Sequence, residues 1–183
     1  MKHSSDEGKN VTMPVVYFSH GQASGPWGSK IKAMAKAVGA LGCNAKSVDY
    51  QGIADPKERV EKLITECQDI DKPLILVGSS MGGYVATAAA THLNAIGIFV
   101  LAPAYYITKY EHLTSPSPDI PISIVHGWHD EIVPPENSIR FASKCCATLH
   151  LINGDHRLTK NIDEIIYYLT QFIRDITSNN IAV

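Results

Sequence analysis

No apolar run in this sequence is long enough to cross a bilayer, so a membrane-spanning helix is not expected. Neither sign of charge is in surplus. Sixteen lysines and arginines stand against 18 aspartates and glutamates, for a formal net charge of −2. Acids and bases are interspersed, and the basic footprint of a nucleic-acid binder is missing. Cysteine is scarce too: Cys43, Cys67, Cys145 and Cys146 match neither a zinc-site spacing nor a C-x-x-C pair. They read as reduced packing residues, and neither a metal nor an organic cofactor is implied. The opening M-K-H-S-S-D-E-G-K-N-V-T has no hydrophobic segment of the kind a secretory signal needs. Residues 1–13 therefore read as a polar, flexible leader, and the cytoplasm is the expected address. There is no internal repeat and no low-complexity tract.

What is present suffices for one substantial core. The chain has 183 residues, of which 45% are hydrophobic, and residues 14–183 are expected to form a single domain. Short apolar runs predict strands at 15–19, 43–50, 73–78, 95–102, 121–126 and 147–152. Between them, helical spacing predicts helices at 28–41, 56–68, 80–92, 135–145 and 161–176. Pro56 opens the second of these, a position proline tolerates well. Strands apolar on both faces and separated by helices imply a mostly parallel, doubly wound α/β sheet of about six strands, covered on both sides. The irregular stretch is 105–119, a proline-rich loop where a helix would be expected. Ligands of such sheets collect at the carboxyl ends of the strands.

One of those ends reads G-S-S-M-G-G, residues 78–83. Gly78-Ser79-Ser80-Met81-Gly82 fits G-x-S-x-G between a strand and a helix. A nucleophile on such a turn is raised above the sheet edge, and neighbouring chain crowds the positions two residues either side. Glycines occupy both. The helix beginning there aims free amides at the same spot, which favours developing negative charge. A plain glycine turn with a capping serine is the bland alternative. A dinucleotide loop is disfavoured because Ser80 replaces the middle glycine of G-x-G-x-x-G, and a P-loop lacks its Gly-Lys-Ser/Thr ending.

A serine hydroxyl becomes a nucleophile only when a base takes its proton and an acid orients that base. Downstream of Ser80 the W-H-D-E-I-V-P-P stretch offers Asp130, and G-D-H-R-L offers His156, each just past a strand end. The order Ser, Asp, His is the one this fold class uses. Glu131 is the reserve acid. His129 would reverse the order, His126 reads as locally bonded, and Asp155 reads as a turn residue. His92, His112 and His150 are expected to be structural or solvent-facing, and His3 falls in the leader. An oxyanion hole is expected from the backbone N–H groups of Met81 and Gln22, with Ala23 second to Gln22. His20 reads as a turn histidine bonded to backbone.

The segments F-S-H-G-Q-A, V-G-S-S-M-G-G-Y, V-H-G-W-H-D-E-I-V-P and G-D-H-R-L resemble the α/β-hydrolase superfamily from Val15 to about Ile176. The resemblance implies a minimal, lidless member, similar to small bacterial serine esterases and thioesterase-like hydrolases, with Ser80, Asp130 and His156 as nucleophile, acid and base. It implies hydrolysis of carboxylic esters through an acyl-enzyme, on a small-molecule or surface-presented acyl substrate. A thioesterase or other acyl hydrolase on the same residues, and a silent binding protein on the same scaffold, remain as alternatives. Trp27, Tyr105, Tyr106 and Trp128 are candidates for lining the substrate pocket. The strand at 43–50 is the candidate surface for a homodimer.

Overall fold

The structure is a computed structural model that describes residues 12–107 and 118–179. Most of the expected leader, the centre of the 105–119 loop, and with them His3 and His112, lie outside the described residues. The elements run β1 (Val15–Ser19), α1 (Ser29–Ala40), β2 (Asn44–Val48), α2 (Pro56–Cys67), β3 (Leu74–Ser79), α3 (Met81–Ala90), β4 (Ala95–Leu101), β5 (Ile122–Gly127), α4 (Pro135–Cys145), β6 (Thr148–Ile152) and α5 (Ile162–Asn179). Each predicted strand and helix is found, with ends shifted by a few residues. A short 3-10 turn at Thr159–Asn161 leads into α5.

The six strands form one parallel sheet in the order β2-β1-β3-β4-β5-β6. Alternation along each strand sorts side chains into two cores. Val15, Tyr17, Leu74, Leu76, Ile98 and Val100 pack with Leu63 of α2, Val85 and Ala89 of α3 and Phe141 of α4. Their neighbours Val16, Phe18, Ile75, Val77, Phe99 and Leu101 pack with Ile31, Met34 and Val38 of α1 and Ile165, Leu169 and Ile173 of α5. Two helix layers thus cover both faces, which explains why the central strands are apolar throughout. Among the described residues no helix is long and apolar enough to cross a membrane.

The chain reverses its direction of winding between β2 and β3, on either side of β1. Sheets of this kind open a crevice at the carboxyl edge where the winding reverses. The β1 and β3 ends, carrying Ser19–His20 and Ser79–Ser80, lie side by side there.

Candidate active site

The chain turns from β3 into α3 at Ser80, which adopts φ 54° and ψ −120°. A non-glycine residue there is strained, and strain of this kind is held only where surrounding structure enforces it. The neighbouring glycines show what does so. A β-carbon on Gly78 would collide with the main chain of Gly82 and Gly83, and one on Gly82 with the carbonyls of Ser19 and His20. The Ser80 carbonyl accepts from the amides of Gly83 and Ala104, at 2.9 and 3.0 Å, and its own amide donates to Leu101 O at 2.9 Å. The result is a half-buried hydroxyl standing at the sheet edge.

His156 meets that hydroxyl. Its Nε2 lies 3.0 Å from Ser80 Oγ, and its Nδ1 lies 2.7 Å from Asp130 Oδ2. Asp130 follows β5, and His156 follows β6. Their approach depends on Gly127, whose β-carbon would strike the carbonyl of Gly154 and so keep the two strand ends apart. Asp155 accepts from Leu158 N at 2.9 Å, a turn role, while Glu131 is exposed and His129 bonds Asn153. The three residues singled out from the sequence are the three brought together.

Asp130 is an acceptor with every lone pair used. Oδ1 takes the amides of Ile132 and Val133 at 2.9 and 2.8 Å. Oδ2 takes His156 and also His126, whose Nε2 lies 2.9 Å away. Burial pushes this carboxyl up, but the Val133 amide, the His156 hydrogen bond and the Ile132 amide outweigh it and hold the pKa below the ordinary 3.8. An ionised carboxylate on Nδ1 favours the tautomer of His156 with its proton there, leaving Nε2 as an acceptor facing the Ser80 hydroxyl. His126 is itself sealed from solvent. Its Nε2–H faces two acceptors, Asp130 Oδ2 and Val133 O at 3.0 Å, so its Nδ1 accepts from Ser138 Oγ at 2.7 Å. Burial lowers its pKa below 6.5 and keeps it neutral.

The loop after β1 completes the edge. His20 Nε2 accepts the Tyr50 amide at 2.9 Å, which places its proton on Nδ1, donated to Gly21 O at 2.7 Å. Arg59 Nη1 donates to the same carbonyl at 3.4 Å. In a trans peptide the C=O and N–H point opposite ways, so these two donors turn the Gln22 N–H away from themselves. Gly21 meanwhile sits against the turn that carries Ser80: a β-carbon there would lie 3.5 Å from Ser80 Cβ. On the other flank Lys30 of α1 reaches across, donating to Ser79 Oγ at 3.1 Å and Arg157 O at 2.9 Å. Burial lowers its pKa to about 8, with Asp155 opposing.

A cleft of about 590 Å3 opens beside this loop, lined by Gln22–Gly25, Tyr50–Ala54 and Arg59. None of the four expected pocket aromatics lines it. Tyr105 must be withdrawn from that role, since it is wholly buried, bonded to Thr87 Oγ1 at 2.6 Å and stacked on Phe141. Tyr106 lies beneath the Arg140 guanidinium at 4.1 Å, and Trp27 and Trp128 are 44% and 53% exposed. His126 is bonded locally as the sequence reading expects, though its hold on Asp130 was not foreseen, and sequence reasoning missed Lys30 and Arg59. The available signal was position: Lys30 and Arg59 each head an i, i+4, i+8 stripe, continued by Met34 and Val38 on α1 and by Leu63 and Cys67 on α2. Among the described residues no cluster of His, Cys, Asp and Glu could hold a metal ion.

A parallel, doubly wound sheet with a serine on this kind of turn is the architecture of α/β hydrolases. Residues 14–165 match the alpha/beta hydrolase domain family, and the chain belongs to it. A solved structure from Xanthomonas campestris pv. campestris, assigned to the alpha/beta hydrolase superfamily, is 25% identical with a TM-score of 0.80. The match covers 88% of this chain and 98% of that one. Alpha/beta hydrolase domain-containing protein 10 from mouse is 23% identical with a TM-score of 0.77, over 89% of this chain and 90% of that one. Est1E from Butyrivibrio proteoclasticus is 16% identical with a TM-score of 0.79, over 93% and 90% respectively. No curated protein matches the sequence.

Proposed function

We propose that the protein is a serine hydrolase of carboxylic esters, with Ser80 as nucleophile, His156 as general base and acid, and Asp130 as the group that orients His156. The observation that carries this reading is the pair of contacts on His156, 3.0 Å to Ser80 Oγ and 2.7 Å to Asp130 Oδ2. Both distances suit proton transfer and orientation without rearrangement.

His156 Nε2 takes the hydroxyl proton as Ser80 Oγ attacks the ester carbonyl. Asp130 stabilises the imidazolium that forms. The oxyanion settles against the N–H groups of Met81 and Gln22. As the first residue of α3, Met81 has an amide with no partner inside the helix. The intermediate collapses when His156 Nε2–H protonates the leaving alcohol. Water, deprotonated by the same nitrogen, then attacks the acyl-enzyme, and a second collapse releases the acid and restores Ser80.

Intact mass after incubation with a fluorophosphonate tests the reading directly. One adduct on the wild type and none on Ser80→Ala is the expected result. A folded wild type that stays unlabelled would place the chain among non-catalytic binders on this scaffold. Turnover of matched esters and thioesters then separates the esterase from the thioesterase.

A further inference from the structure

Arg59 is only 2% exposed, yet among the described residues it forms no ion pair. Burial works against its charge and lowers its pKa. Nε–H donates to Ile53 O at 2.7 Å, and one Nη1–H reaches Gly21 O at 3.4 Å. The guanidinium has five N–H donors in a planar fork; the others meet no acceptor among the described residues, and the guanidinium carbon lies 5.2 Å from the centre of the Tyr50 ring. No side-chain nitrogen or oxygen among the described residues is both sealed from solvent and unpartnered. The unused edge of the fork therefore keeps a sliver of solvent contact, and Arg59 is one of the residues that line the 590 Å3 cleft. No residue lining that cleft is acidic, and Gln22 and Gln51 bring carboxamide donors to its walls.

The cleft is also adjacent to the chemistry. Gly21 lies between the two, with its α-carbon side against Ser80 and its carbonyl bonded to Arg59. Gly21 thus links the turn that carries Ser80 to the loop that Arg59 braces. The volume suits a small molecule, and a guanidinium edge matches a carboxylate in two-point geometry.

We propose that Arg59 and this cleft form a subsite for a carboxylate carried by the substrate, so that the enzyme prefers anionic esters to neutral ones of the same size. The inference rests on the Ser80 reading above and names the substrate class for that site.

The test compares kcat/KM within two matched pairs. One pair places the charge on the acyl side, mono-4-nitrophenyl glutarate against 4-nitrophenyl pentanoate. The other places it on the alcohol side, 4-acetoxybenzoate against its methyl ester. The wild type should favour the anion in one pair by roughly tenfold or more, as expected for a hydrogen bond to a charged group. Arg59→Gln should bring that ratio toward one, while Arg59→Lys retains part of it. The ratio does not depend on how much of a variant is folded. A wild type without anion preference, or an Arg59→Gln variant that slows both members of a pair equally, overturns the subsite. Calorimetric titration with glutarate supplies a reading independent of turnover. Binding to wild type and Ser80→Ala, lost in Arg59→Gln, supports the subsite even if no ester is cleaved, in which case the hydrolase reading alone fails. Ester cleavage without charge preference and without glutarate binding removes the subsite alone.

Discussion

His126 and His156 both approach Oδ2 of Asp130, at 2.9 and 2.7 Å, and their surroundings then diverge. His126 sits inside the end of β5, with both ring nitrogens bonded to protein groups and no solvent contact. His156 sits on the loop after β6, with a side chain 15% exposed and one nitrogen facing only a serine hydroxyl. The far nitrogen of the second ring meets a hydroxyl that can either donate or accept. Protonating the first would aim an N–H of His126 at Ser138 with burial opposing the charge. One carboxylate therefore serves a histidine closed in by protein on one side and a histidine facing a serine hydroxyl on the other, and the difference lies in what the far nitrogen meets.

Substitutions can pull this pair apart. His156→Ala should lower kcat for an ester about 10^4-fold or more, while the urea midpoint moves by less than about 1 kcal/mol equivalent, since Asp130 keeps three donors. Equal activity with and without His156 would end the comparison. His126→Ala should behave in the opposite way, removing about 2–4 kcal/mol of stability because it opens a cavity and strands buried polar atoms of Asp130 and Ser138. Its kcat should fall by a smaller factor, roughly 10–100-fold, through a less well-held Asp130. Denaturant melts beside steady-state rates decide the matter.

The same contrast has a pH signature. His126 holds a proton less readily in the fold than in the unfolded chain, so the unfolded chain binds more proton as pH falls through 6.5. Its contribution is complete above 6.5 and declines below it. Asp130, held below 3.8, adds stability that is present above 3.8 and lost as pH falls through its folded value. Unfolding free energy followed by urea titration should therefore begin to drop below pH 6.5, and less steeply in His126→Gln. The smallest effect is expected at Lys30. Its pKa is lowered to about 8 from 10.5, so the folded chain carries an unfavourable charge below pH 8 that is relieved as pH rises toward 10.5. Lys30→Met should be more stable at pH 7 by about 0.5–1 kcal/mol, with the gain shrinking above pH 8. Its kcat should fall a few-fold, because the bond from α1 to Ser79 and the His156 loop is gone.

The fold was legible because its signals are local. Period-2 and period-3.6 patterns, Pro56 at a helix start and glycines around Ser80 all act within a few residues. The Ser80, Asp130 and His156 positions were legible for a related reason: parallel strands all end on one edge, so residues just past strand ends converge wherever they fall in the chain. Pocket walls obey no such rule. Tyr105 follows β4 as its position suggests, but stacking on Phe141 and bonding to Thr87 draw it into the core. Arg59 looks like one more charge in P-K-E-R-V-E-K, and only its place above Leu63 and Cys67 sets it apart.

Sequence alone thus determined the elements, their parallel assembly and the strand ends at which Ser80, Asp130 and His156 stand, since each depends on short-range pattern and a single topological rule. Tertiary structure decided that His126 shares the Asp130 carboxylate, which cation lies buried and where the cleft opens. Those follow from side chains far apart in the chain competing for the same carbonyls, carboxylate oxygens and space, a competition settled only when the sheet edge is assembled.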